Sequence, residues 1–179
     1  MKRVLFLFVL LTLGLSIPMS AASPGGEFIV SKVYDGDTVR VEKNGLVLYV
    51  MLVGIDAPEI SNDPLYRGQP FGEEAKSFLS RLVQGKKVEV RGFGKASAPF
   101  NKILGVLYLS GKNINLELVQ KGLAEVYREG LPKGFDPRPY VEAETTAKKM
   151  RLGIWSLRDR YVSPHAWREG LRARTTVSP

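Results

Sequence analysis

Cysteine is absent from the 179 residues, and histidine occurs once, at His165. The first absence excludes a disulfide scaffold, a thiol nucleophile, a lipid-modified cysteine and any zinc site built on thiolates. The second excludes sites that need two imidazoles. Chemistry in this chain must come from carboxylates, lysine and arginine, tyrosine, and the hydroxyls of serine and threonine. Long apolar runs are also scarce. The one candidate, VLFLFVLLTLGLSI, follows Lys2 and Arg3 and is broken by Ser16, Pro18 and Ser20. It falls short of the roughly 20 apolar residues that a membrane-spanning helix needs.

A basic start, a short apolar stretch and the small residues Ser20-Ala21-Ala22 have the form of a secretory signal peptide. Cleavage after Ala22 is expected, giving a secreted or periplasmic protein with no stable membrane insertion after cleavage. The expected organisation is a signal peptide at 1–22, one domain at 27–156 and a basic tail at 157–179. The formal charge is +8, and removal of Lys2 and Arg3 leaves +6. Such a surface suits a polyanionic partner, although it also serves ordinary solubility.

After the SPGG linker, EFIVSKVY (27–34) alternates apolar and polar residues as a strand does. TVRVEK (38–43) reads as a second strand, Asn44-Gly45 as a two-residue hairpin turn, and LVLYVMLVGI (46–55) as a third. That third strand is apolar on both faces, so it belongs in a closed or covered sheet. KKVEVRGF (86–93) and KILGVLYL (102–109) supply two more strands. FGEEAKSFLSRLVQ, INLELVQK and PYVEAETTAKKMRL read as helices stopped by Gly85, Gly122 and Gly153. In the last of these, Tyr140, Ala143, Ala147 and Met150 are expected to face the core. The tail from Leu157, with His165 in it, is expected to be partly irregular and loosely held. The fold class is therefore α+β: a five-stranded OB-fold β-barrel with three α-helices.

Two acidic segments, Asp35-Gly36-Asp37-Thr38 and Asp56-Ala57-Pro58-Glu59, flank the second and third strands. Counting register from Asn44-Gly45 puts Asp37 and Asp56 together at one end of the barrel, with Glu59 just beyond. Three carboxylates without histidine or cysteine are hard ligands suited to Ca²⁺ or Mg²⁺. A divalent ion beside a spare carboxylate could hold a phosphodiester while the acid activates water. The competing reading is that Asp-Gly and Asp-x-Pro merely make turns.

These residues give the sequence a resemblance to the staphylococcal nuclease (thermonuclease) family. The likeness runs from about Phe28 to Ser156 through VYDGDTVRV, LVGIDAPE, GQPFGEEAKSFL, GKKVEV, NLELVQKGLAEVYR and AETTAKKMRLGIWS. PHAWR at 164–168 resembles a tail motif of bacterial members. The resemblance implies a secreted, Ca²⁺-dependent phosphodiesterase. It makes Asp37 and Asp56 calcium ligands, Glu59 the general base and Thr38 a supporting residue, while Asp35 shapes the turn.

It also implies two arginines that grip the phosphate, and here the pattern departs. The first position is Met51 and the second is Lys102, which keeps charge but not the planar two-pronged donor. Phe100 stands where the family carries a tyrosine. Phe100, Tyr127 and Arg40 are the substrate-binding candidates, and Arg40, Arg67 or Lys95 could replace the missing guanidinium.

Three readings follow. The first is a metal-dependent nuclease acting on DNA or RNA with Glu59 and Lys102, at reduced activity, using Ca²⁺ with Mg²⁺ as the alternative. The second is an inactive OB-fold module that binds single-stranded DNA, RNA or another polyanion. The third is an interaction domain whose acids serve only turns. A monomer is expected.

Overall fold

The computed structural model describes residues 26–61, 67–96 and 102–177, with side chains described as far as 171. Residues 1–22, expected to be a signal peptide, and Phe100 lie outside the described residues.

Apolar residues spaced two apart build a closed barrel. Strands β1 (Gly26–Val33), β2 (Thr38–Lys43) and β3 (Leu46–Leu52) form an antiparallel meander, and β3 follows β2 across Asn44-Gly45. The Asn44 and Gly45 φ angles are both positive, +48° and +80°, as a hairpin turn of this length requires. Helix α1 (Gly72–Val83) crosses to β5 (Lys87–Lys95), which pairs with β1. Strand β6 (Lys102–Leu109) pairs antiparallel with β5 and parallel with β3, and that last pairing closes the barrel. Val30, Val39, Val41, Val50, Leu52 and Leu107 fill it and are essentially inaccessible to water. The short β7 (Lys112–Asn113) leads into α2 (Ile114–Gln120).

The third strand is shorter than its composition suggests. It ends at Leu52, the chain turns at Val53-Gly54, and Ile55–Asp56 forms a separate strand, β4, paired with β8 (Glu125–Val126). Gly54 causes the break. Its φ is +81°, and a Cβ there would collide with the Phe135 ring, so only glycine fits. The buried Asn115 satisfies the backbone at this break. Its Nδ2 donates to the carbonyls of Val53 and Gly105, both at 3.0 Å, and its Oδ1 accepts from Leu107 N–H at 3.1 Å.

Helix α3 (Arg138–Met150) packs on α2. Its inward stripe corrects the expected one. Met150 is 64 % exposed and Glu144 is buried instead. The carboxylate can sit there because Val126 N–H, Arg128 and Lys148 all donate to it.

The C-terminal region also differs from expectation. A 3₁₀ segment (Gly153–Arg160) and a fourth helix, α4 (Pro164–Val177), replace the loosely held tail. The Trp155 ring packs 4.8 Å from the Tyr161 ring, and the Tyr161 hydroxyl donates to Glu125. Pro164 is buried. No helix among the described residues is long and apolar enough to cross a membrane.

Candidate active site

The barrel end away from the Asn44-Gly45 turn collects the acids. Asp37 sits in the turn before β2. Its N–H donates to Asp35 Oδ1 at 2.9 Å, a side-chain-closed turn of the kind aspartate favours. Gly36 lets this turn lie flat against the Asp56 loop and α1: a Cβ there would stand 2.6 Å from that of Ala57 and 2.8 Å from that of Ala75. The Asp37 carboxylate accepts from Ala57 N–H at 2.9 Å and from the Thr38 hydroxyl at 3.1 Å. The turn carrying one acid is thus bonded directly to the loop carrying the other two.

Asp56 comes from β4 and is buried. Glu59 follows on a loop gripped by Gln69. Gln69 N–H donates to Glu59 C=O at 2.8 Å, and Gln69 Oε1 accepts from Glu59 N–H at 3.1 Å. The same side chain donates from Nε2 to Val162 C=O at 2.7 Å. Gln69 therefore ties the Glu59 loop to the C-terminal region.

Arg168, on the second turn of α4, reaches these acids. Its Nη1 donates to Asp56 Oδ1 at 2.8 Å and to Glu59 Oε1 at 2.6 Å, and its Nη2 to Asp56 Oδ2 at 2.8 Å. The three bonds raise the guanidinium above its ordinary value, chiefly through Asp56. Burial pushes Glu59 up; Arg168 opposes this, while Asp35 and Asp56 add to it. Burial also drives Asp37 well above the usual carboxylate range. Asp35 and Asp56 reinforce that rise, against the Ala57 hydrogen bond. Among the described residues Asp35, Asp37, Asp56 and Glu59 thus feel one another, with the Arg168 guanidinium bonded to two of them.

The expected site residues separate along one outer face of the barrel. Cross-strand partners share a face. Thr38, Met51 and Leu104 form one row across β2, β3 and β6, and Arg40, Tyr49 and Lys102 form the next. Met51 therefore lies in the row beside the acid turn, while Lys102 is two residues farther along, roughly 7 Å. Among the described residues Lys102 makes no ion pair with the acids. Arg40 is paired with Glu42 at 2.9 Å, and Arg67 and Lys95 are exposed. Tyr127 follows β8, partly exposed, with its N–H on Gly54 C=O at 3.1 Å. A concavity of about 550 Å³ lies at the opposite end of the barrel, around Phe28, Lys43 and Gly45. Its lining does not include Asp37, Asp56 or Glu59.

Arg168 is the residue that sequence reasoning missed. Its signal was the final arginine of PHAWR, whose distance from the acids along the chain concealed its proximity in space.

Among the described residues, no three acid, histidine or cysteine side chains form a metal cage by themselves. Asp37 and Asp56 are nevertheless hard oxygen donors close enough to interact electrostatically. This set suits a partly hydrated Ca²⁺ or Mg²⁺ ion completed by waters and phosphate.

A closed five-stranded barrel with helices, carrying acids in the turn before its second stave and on β4 and the loop that follow the third, defines an OB-fold protein with a candidate phosphodiester site. Residues 49–157 match the family model described as staphylococcal nuclease homologue. An uncharacterized endonuclease of Haemophilus influenzae is 34% identical over 140 residues, covering 78% of this chain and 71% of that one. A thermonuclease of Staphylococcus intermedius is 29% identical over 134 residues, 73% of this chain and 77% of that one. An SPbeta prophage-derived endonuclease of Bacillus subtilis is 30% identical over 149 residues, 83% of this chain and 50% of that one. The chain belongs to the staphylococcal nuclease family.

Proposed function

We propose that this protein is an exported, divalent-metal-dependent phosphodiesterase that hydrolyses DNA or RNA. The observation that carries the reading is the convergence of Asp37, Asp56 and Glu59 from separate segments onto one barrel end, with a guanidinium among them. Acids that raise one another's pKa are costly to hold together and are characteristic of reaction centres.

In this reading Asp37 and Asp56 hold the ion, with Ca²⁺ as the first candidate, and Thr38 orients Asp37. The ion would supply charge neutralisation at the phosphate. Glu59 takes a proton from water as the water oxygen attacks phosphorus, and one ester oxygen leaves. Its pKa, raised by burial, makes it a stronger base than an exposed glutamate. The outer-face row of Arg40, Tyr49 and Lys102 supports a single-stranded substrate. Its two cations suit the backbone, and its ring offers a stacking surface. Export is supported by the N-terminal segment, and the proposed state is a monomer.

Met51 favours a second reading, a barrel that binds nucleic acid without cutting it, because that position offers no donor to phosphate. Incubation with single-stranded DNA and RNA in Ca²⁺, Mg²⁺ or EDTA separates the two. Metal-dependent cleavage lost in Glu59→Gln supports the phosphodiesterase. Retarded but intact substrate in all three buffers overturns it.

A further inference from the structure

A guanidinium has five N–H donors arranged along two forked edges. Arg168 commits its Nη1–Nη2 edge to the two oxygens of Asp56 and its remaining Nη1 hydrogen to Glu59. The other fork, Nε–H with the second Nη2 hydrogen, has no partner among the described residues. The side chain as a whole is 32 % exposed. A planar pair of N–H groups matches two phosphate oxygens.

The C-terminal region is held in place by contacts that do not depend on Arg168. Gln69 fixes Val162, Tyr161 donates to Glu125, and Pro164 is buried. Glu125 pairs with Asp56 across β4 and β8, so the anchor adjoins the site itself. This arrangement pre-positions the Arg168 side chain against Asp56 and Glu59, whereas Met51 has no donor to offer and Lys102 makes no ion pair with the acids among the described residues.

We propose that Arg168 is the phosphate-holding guanidinium of this site, anchored on Asp56 and Glu59 by one edge and offering the other to the non-bridging oxygens of the nucleic-acid backbone. The C-terminal helix then completes the active site, and a chain shortened before α4 would retain the acids but lose the phosphate grip. This inference rests on the phosphodiesterase reading, and the measurements below distinguish failure of one from failure of the other.

Three quantities are compared in wild type, Arg168→Ala, Arg168→Lys and the control His165→Ala, which alters an exposed residue of the same helix. They are cleavage of single-stranded DNA in Ca²⁺, binding of a cleavage-resistant phosphorothioate oligonucleotide, and the Ca²⁺-induced rise in melting temperature. Arg168→Ala is expected to lower cleavage by about 10²–10³, the usual loss for one preorganised donor. It should weaken oligonucleotide binding by roughly tenfold, yet retain a Ca²⁺-induced rise in melting temperature. Arg168→Lys keeps the charge but lacks the fork and should recover less than a tenth of the lost rate. His165→Ala should match wild type.

Arg168→Ala cleaving at the wild-type rate or faster overturns the proposal and makes the guanidinium a plug. Loss of the Ca²⁺ response in that variant also overturns it, since Arg168 would then act through the metal ligands. Should Arg168→Ala fail to fold, Arg168→Lys decides: full activity overturns the proposal and a large loss upholds it. Should wild type itself not cleave, the phosphodiesterase reading fails. Oligonucleotide binding then decides alone, and equal affinity in wild type and Arg168→Lys overturns the assignment.

Discussion

Two arginine–carboxylate clusters in this molecule use similar parts for opposite ends. In one, Glu144 on α3 lies buried and accepts from Val126 N–H, from Arg128 and from Lys148. Burial alone would raise its pKa, but the three sets of donors overcome that, and Arg128 leads in pulling it below its ordinary value. In the other cluster, Arg168 faces Asp56 and Glu59 with Asp37 and Asp35 nearby, and both Asp37 and Glu59 are raised. The first cluster has its charge satisfied and joins α3 to the loop after β8. The second gathers several carboxylates around Arg168, whose Nε–H edge has no partner among the described residues. Satisfaction marks structure, whereas carboxylates that raise one another's pKa mark a candidate site.

This contrast can be broken by mutation, and the largest effect should come at Glu59. Glu59→Gln leaves the loop clamp of Gln69 intact, because that clamp uses the Glu59 backbone. Cleavage should fall at least 10²–10³-fold, within the range for removing a general base or a preorganised group, with the melting temperature little changed. A variant that still cleaves at a tenth of the wild-type rate would move the base elsewhere.

Glu144→Gln should do the reverse. It should destabilise the fold by about 2 kcal/mol, the scale of hydrogen bonds to a charged group, with any remaining folded protein still cleaving. Arg128 and Lys148 are about half exposed and can hydrate, which keeps the penalty below that of a fully buried pair. The sign of its pH dependence follows from the lowered pKa. The stabilisation is present above the unfolded-state value and disappears as pH falls through the folded-state value. Urea titrations should therefore find wild type and variant converging in the acid range below the ordinary glutamate value of 4.5.

Asp37 should show the opposite linkage and a smaller effect. Its raised pKa means that ionisation costs the folded state stability above the unfolded-state value. In EDTA at neutral pH, Asp37→Asn should raise the melting temperature by a few degrees, corresponding to about 1 kcal/mol, and the gain should shrink as pH falls. Added Ca²⁺ should stabilise wild type and leave the variant nearly unmoved. A variant less stable than wild type in EDTA would mean that the Ala57 and Thr38 bonds outweigh the repulsion.

The smallest effect is expected at Lys102, two residues along the outer face from the Met51 row. Lys102→Met should reduce cleavage only about threefold and flatten its salt dependence by roughly one phosphate contact. A loss as large as that in Arg168→Ala would exchange the roles of the two cations.

Much of the barrel was legible because strand patterning is local. Alternation marks β1, and Asn44-Gly45 sets the β2–β3 register, which puts Asp37 opposite Leu52 at the end of β3 and leaves the break beyond it to bring Asp56 alongside. Other features were hidden because they depend on contacts distant in sequence. The break after Leu52 requires Phe135 against Gly54, and the buried Asn115 resembles any helix-start asparagine until Val53 and Gly105 are beside it. Met150 looked like the end of an apolar stripe. Glu144 displaced that stripe because three donors from elsewhere make its burial tolerable.

The sequence by itself determined the strand pattern of the barrel and the acid-bearing segments that flank its second and third strands, since hydrophobic period and turn chemistry act over a few residues. Tertiary structure alone decided what stands opposite those acids. A guanidinium 112 positions after Asp56 reaches it only because Gln69, Tyr161 and Pro164 fold the C-terminal region back. No local propensity encodes a contact between charges so far apart along the chain.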